Sequence, residues 1–142
     1  MYIASSYSGN TEEVLDFAEK ARQKNFNVVA VATGGRLIAW AQEHNLPYIV
    51  LPDTSIQPRS ALGFSIIALA KLVDLGALPS LATMAQSFDS LVFEPAGRKL
   101  AEVLKGKVPI VYSSRSNLPI AYNWKIKFNE TAKIPAFYNV FP

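Results

Sequence analysis

A chain of 142 residues is long enough for one domain or for parts of two. Half of its residues are hydrophobic and none is cysteine, so a packed core is expected, while a disulfide framework and a thiolate metal site are excluded. The net charge of +3 comes from scattered lysines and arginines without a basic run, which excludes a nucleic-acid arm and would suit a small anionic ligand, among much else.

The start, Met1 to Tyr7, has neither the basic n-region nor the long apolar stretch of a signal peptide, and a cytoplasmic location is expected. Tyr2-Ile3-Ala4 reads as the end of a strand, and Ser5 to Asn10 as a turn of small residues. Thr11 to Lys24 reads as a helix with Val14, Phe17, Ala18 and Ala21 on one face. Asn10 is its expected N-cap, with Glu13 completing a capping box. Asn27 to Ala32 is a short continuous apolar run, the pattern of a buried parallel strand. Thr33-Gly34-Gly35 breaks it. Arg36 to His44 reads as a second helix and Pro47 to Leu51 as the next strand. His44, the lone histidine, reads as a helix-end residue rather than a catalyst.

The most apolar stretch, Ser60 to Val73, is too short to span a bilayer and contains Lys71, so it reads as a buried helix and no membrane association is expected. Leu78 to Lys105 reads as further helix, broken around Phe93 to Gly97. Val108 to Tyr112 is a fresh buried strand, Ser113 to Asn117 a polar loop, Ile120 to Glu130 a helix and Ala136 to Val140 a last strand. Trp124, Lys125, Lys127, Asn129 and Glu130 read as a solvated helix face. The alternation of strands and helices predicts an α/β fold with a doubly wound parallel sheet of the Rossmann or flavodoxin-like kind, and the start of a second α/β unit near Lys107.

Two segments carry chemistry. Ser5-Ser6-Tyr7-Ser8-Gly9-Asn10-Thr11 joins a strand to a helix N-terminus, where unpaired N–H groups and the helix dipole favour an anion. Ser6, Ser8 and Thr11 would add hydroxyl donors, Gly9 would permit close backbone approach, and Gly9 and Asn10 would support the loop. The pattern also fits a plain capped helix, or the flavin-phosphate loop of flavodoxin-like proteins. Leu51 to Gly63, the second segment, follows a parallel strand at the edge where open α/β sheets bind ligands. Pro58 stiffens the chain before Arg59, and Ser60 is the expected cap of the next helix. Arg59 is a permanent cation that could stabilise a developing enediolate, or an ordinary surface ion-pair partner.

The combination resembles a known family. Ser6-Tyr-Ser-Gly-Asn-Thr-Glu-Glu13 resembles the signature of sugar-isomerase (SIS) domains. Gln57-Pro-Arg-Ser-Ala-Leu-Gly63 is similar to a segment of bifunctional phosphoglucose/phosphomannose isomerases. Ile110-Val-Tyr-Ser-Ser114, Ala121-Tyr-Asn-Trp-Lys-Ile-Lys-Phe-Asn-Glu130 and Pro135-Ala-Phe-Tyr-Asn-Val-Phe-Pro142 resemble the start of that family's second SIS domain. The resemblance implies residues 1–76 from a first SIS domain, a helical connection over 77–106 and the beginning of a second SIS domain over 107–142. It implies an aldose–ketose isomerase, active as a homodimer without metal or redox cofactor, that interconverts glucose 6-phosphate or mannose 6-phosphate with fructose 6-phosphate. Ser6, Ser8 and Thr11 would bind the phosphate and Arg59 would stabilise the enediolate. The family's glycine- and serine-rich loop lies upstream of the first motif. Its catalytic glutamate lies beyond Pro142, and its ring-opening histidine further on, unmatched by His44. The chain is therefore expected to be an internal piece of such an enzyme, inactive alone, with Glu130 not matched to the base. The alternative is a non-catalytic SIS module that binds sugar phosphates.

Overall fold

The computed structural model describes residues 1–141; Pro142, the end of the third motif, lies outside the described residues. The chain divides into two compact units, Met1–Ala85 and the residues from Gln86 onward. The boundary falls within the helical stretch 77–106.

In the first unit, β1 (Tyr2–Ser5), α1 (Glu12–Gln23), β2 (Val28–Ala32), α2 (Gly35–Glu43) and β3 (Tyr48–Val50) alternate, and α3 (Leu62–Val73) follows. All pairing is parallel, in the order β1-β2-β3, with Ala4 opposite Ala30 and Val31 opposite Ile49. β2 is buried along its whole length, which explains its uninterrupted apolar run. Side chains alternate across the sheet. Ala4, Val28, Ala30 and Ala32 meet Ala18 and Ala21 of α1 and Leu37 and Ala41 of α2. Val31 and Leu51 meet Ala68 of α3, with Ile3 and Ile49 packed alongside. Helices thus cover both faces, as a doubly wound sheet requires. The alanines keep α1 and α2 close to the strands.

Beyond their common packing on the sheet, α1 and α2 are joined by one polar cluster. The Glu19 carboxylate accepts from Arg22 Nε and Nη2 at 3.0 and 2.7 Å, from Gln23 at 2.9 Å and from Trp40 Nε1 at 3.0 Å. His44 caps the C-terminus of α2, edge-on to Trp40, with Nε2 3.9 Å from Glu19. Hydrogen bonds from Arg22, then Trp40 and Gln23, hold the Glu19 carboxyl well below its ordinary value of 4.5, at about 2.

The second unit contains α5 (Ser90–Leu104), β4 (Ile110–Ser113), α6 (Leu118–Lys127) and β5 (Phe137–Val140); α4 (Leu78–Ser87) precedes it across the boundary. β4 and β5 pair in parallel, with Ile110 opposite Phe137. After α6 a wide turn over Phe128–Ala132 ends at Lys133, whose φ of 57° reverses the chain. A cavity of about 360 Å³ lies between α5, β4 and α6, lined among others by Leu104, Pro109, Val111 and Trp124. Trp124 is therefore not simply on a solvated face, although it is 46% exposed. The helix break expected at Phe93–Gly97 does not occur there. α5 runs through Pro95, and the interruption falls just before it, where the Asp89 carboxylate caps Leu91 N–H at 2.9 Å. Pro95 has no N–H to give, so the bond to the Leu91 carbonyl is missing, yet α5 continues to Leu104.

α3 is apolar nearly all round, and its outer face stays open: Leu62, Ile66, Ile67, Leu69 and Val73 are exposed. A groove of about 310 Å³ beside it is lined by Val50, Phe64 and Ile67. Such a surface favours association. The chain is expected to self-associate, so that scattering mass rises with concentration; a monomer throughout the series would contradict this.

Glu19 gives a second expectation. Its pKa is depressed on folding, so its contribution to stability is complete above about 4.5 and is lost as pH falls towards about 2. Between those limits the parent chain should lose more stability than Glu19→Gln in denaturant titrations. Parallel curves for the two proteins would refute the assignment.

Candidate functional site

The loop between β1 and α1 sits at the C-terminal edge of the sheet, and of its three expected hydroxyls those of Ser6 and Thr11 are brought together while that of Ser8 bonds elsewhere. Ser6 is buried, and its Oγ lies 2.8 Å from Thr11 Oγ1 and accepts the Gly9 N–H at 3.1 Å. Ser8 is exposed, and its Oγ accepts the Asn10 N–H at 3.2 Å, which leaves the hydroxyl proton available. Thr11 occupies the N-cap position of α1, and no side chain caps the helix. Among the described residues no side chain bonds the first-turn N–H groups of α1, and the Ser8 and Thr11 hydroxyls lie in the residues just before them. Glu12 and Glu13 follow directly in the first turn, both exposed.

The expected capping box is not formed. Asn10 turns away from α1 and its Oδ1 accepts the Arg36 N–H of α2 at 3.0 Å. The loop is braced from that neighbour throughout. The Tyr7 carbonyl accepts the Thr33 N–H at 2.8 Å and the Thr33 hydroxyl at 2.7 Å, and the Gly9 carbonyl accepts the Leu37 N–H at 2.8 Å. Gly9 has φ of +71° and lies so close to the Gly34 carbonyl that a Cβ could not be placed there. These contacts, rather than approach to a ligand, already require glycine. Sequence reading took Thr33-Gly34-Gly35 only as the end of a strand. Two adjacent glycines straight after a buried strand were the available sign that another backbone passes close by.

The segment that contains Arg59 leaves the sheet at the C-terminal end of β3. Leu51 is buried at the end of β3, an extended segment follows, and Pro58–Ser60 form a short 3₁₀ turn closed by Ser60 N–H to Gln57 O at 2.8 Å. Ser60 does not cap α3: Ala61 holds the cap position, without a side-chain bond, and the helix opens at Leu62. Arg59 is half-buried in that turn. His44 lies at the far end of α2, away from this edge. Among the described residues, no group of three His, Cys, Asp or Glu is arranged to hold a metal ion, and no helix is long and apolar enough to cross a membrane.

The Tyr7 ring links the two segments. It packs on the cluster of Val31, Leu51 and Ala68, so the hydroxyl loop and the root of the Arg59 segment share one apolar support. Its hydroxyl is buried with no hydrogen-bond partner. A buried hydroxyl without a partner costs on the order of 1–3 kcal/mol. Tyr7→Phe should accordingly leave stability unchanged or raise it by about 1 kcal/mol. A clear loss in chemical denaturation would show that the hydroxyl is satisfied in solution.

Helices on both faces of a parallel sheet, with an anion-type loop after β1, define an α/β protein of the SIS type, and comparison with known proteins agrees. Residues 93–142 match the family described as bacterial phospho-glucose isomerase C-terminal SIS domain. The chain is 35% identical to a bifunctional phosphoglucose/phosphomannose isomerase of Caldicellulosiruptor bescii, over 99% of this chain and 46% of the relative. A bifunctional phosphoglucose/phosphomannose isomerase of Thermoplasma volcanium is 34% identical over 99% of the chain and 45% of its own length. A D-glucosamine-6-phosphate 4-epimerase of Sulfolobus acidocaldarius is 31% identical, over 99% and 47%. The chain is thus similar along nearly its whole length to bifunctional phosphoglucose/phosphomannose isomerases, and it spans somewhat less than half the length of these curated relatives.

Proposed function

We propose that the chain binds a sugar phosphate in the concavity at the α1 N-terminus and takes part in aldose–ketose isomerisation, converting glucose 6-phosphate or mannose 6-phosphate to fructose 6-phosphate. The observation that carries the reading is the uncapped first turn of α1, directly preceded by the residues that bring in the Ser8 and Thr11 hydroxyls. Backbone N–H donors and the helix dipole suit a phosphate monoester, and the hydroxyls add bonds without adding charge. Ser6, bonded to Thr11, orients that hydroxyl from below.

In this reading Arg59 meets the sugar rather than the phosphate. Isomerisation removes a proton from C2 of the aldose and returns one to C1, with negative charge gathering on oxygen between the two steps. A guanidinium fixed at the helix entry stabilises that charge when it develops. The proton itself needs a carboxylate base, a role assigned here to no residue of the chain. The active form is read as a cytoplasmic homodimer without nucleic-acid partners. The relatives' names bear on this unequally. Isomerase and epimerase alike are named for phosphorylated sugars, which supports phosphate recognition more strongly than any one reaction. A sugar-phosphate module without turnover is the competing reading.

Titration separates these possibilities. Glucose 6-phosphate should bind far more tightly than glucose, and Ser8→Ala should weaken only the phosphorylated sugar. A hydrogen bond to a charged group is worth about 1.5–3 kcal/mol, or roughly 10- to 150-fold in affinity. Equal binding of the two sugars by the parent would overturn the proposal. Binding without fructose 6-phosphate conversion in the presence of the relatives' remaining segments would favour the module.

A further inference from the structure

Two helix N-termini, those of α1 and α2, lie side by side at the same sheet edge. An anion is drawn to either kind of end by the same N–H groups and the same dipole. The two are not equivalent here. At α2 the donors are occupied: Arg36 N–H by Asn10 Oδ1 and Leu37 N–H by the Gly9 carbonyl. The Ser8 carbonyl and Asn10 Oδ1 also pack against Gly35, whose φ of +68° and lack of Cβ permit the approach. At α1 no side chain caps the first turn.

We infer that Asn10 is the positioning residue of the cradle: by closing the N-terminus of α2 it leaves α1 as the end that receives the phosphate. This rests on the phosphate reading of the loop and deepens it. Asn10 contributes the one side-chain acceptor in this set of contacts, the rest being backbone. Closing α2 draws the acceptors at Gly9 and Asn10 towards that helix. The Ser8 and Thr11 hydroxyls bond the Asn10 N–H and Ser6 Oγ, not the first-turn N–H groups of α1. A neutral amide is also suited to the position, because an acceptor bearing negative charge would stand beside the incoming dianion.

The experiment uses the full chain with Asn10→Ala and Asn10→Asp, inorganic phosphate and glucose 6-phosphate as probes, and amide exchange at Arg36 as the structural readout. In Asn10→Ala the Arg36 amide should exchange about tenfold faster and both probes should bind about tenfold more weakly, as expected for loss of a helix cap. Asn10→Asp keeps an acceptor, so Arg36 should stay protected. Its phosphate affinity should nevertheless fall, and the deficit should shrink as salt is added. A merely structural asparagine would let Asn10→Asp bind like the parent, and that result overturns the inference. Parental phosphate affinity in Asn10→Ala overturns it too. If the parent binds neither probe, the phosphate reading fails on its own account. Exchange across Ser8–Glu13 then decides the positioning role, and rates unchanged in Asn10→Ala refute it.

Discussion

Gly9 against the Gly34 carbonyl is the contact on which the architecture of the first unit turns. It brings two strand-to-helix connections within backbone distance, which no residue with a Cβ at position 9 would permit. Once they touch, their hydrogen bonds follow. Thr33 ties down the Tyr7 carbonyl twice, and α2 donates its Leu37 and Arg36 N–H groups to the Gly9 carbonyl and to Asn10 Oδ1. The first loop needs no cap from its own helix and keeps that end open. A local rule, that a helix start is capped by the residues just before it, is broken here. The break occurs at the loop that the proposed function assigns to the phosphate.

The far ends of the same two helices are joined by a different chemistry. Near the sheet edge the links are neutral and mostly backbone. At the other end Glu19 gathers Arg22, Gln23 and Trp40 around one carboxylate. Glu19 stands about two turns along α1 from its N-terminus, where a third carboxylate would add to the field of Glu12 and Glu13, which disfavours a bound anion. The helices are thus fixed at both ends, and the alanine layer between them and the strands sets their height above the sheet.

How legible this was in the sequence depended on range. The strand at Val28–Ala32 and helices α1 and α2 were readable because their patterns are local: a continuous apolar run, a period near 3.6, glycines at the breaks. The pairing of Ser6 with Thr11 was within reach for the same reason, since one short loop contains both. The role of Asn10 was not. Its partner, Arg36, is 26 positions away, and a capping-box pattern offered a nearer and mistaken partner in Glu13. Ser60 misled in the same way, because a preceding 3₁₀ turn moved the helix start past it. Pro95 was read as a breaker, but position within a helix decides what proline costs, and Asp89 supplied a better start.

The relationship between cradle and chemistry follows from this separation. Everything that shapes the phosphate end belongs to the first loop, Thr33–Leu37 and the apolar support beneath Tyr7. Arg59 belongs to a separate segment that leaves the same support at Leu51 and is held by a three-residue turn. The first part is stiff, interlocked by several backbone bonds. The second is a stretch of extended chain with few bonds before Pro58, and its Ser55 takes up a φ of 56°. In the proposed reading, binding the phosphate therefore asks little of the Arg59 segment. Changes in that segment could alter which carbon reacts while the anchor stayed as it is. Relatives named for isomerisation and for 4-epimerisation, both aligned along nearly all of this chain, have the relationship that such a division of labour would produce.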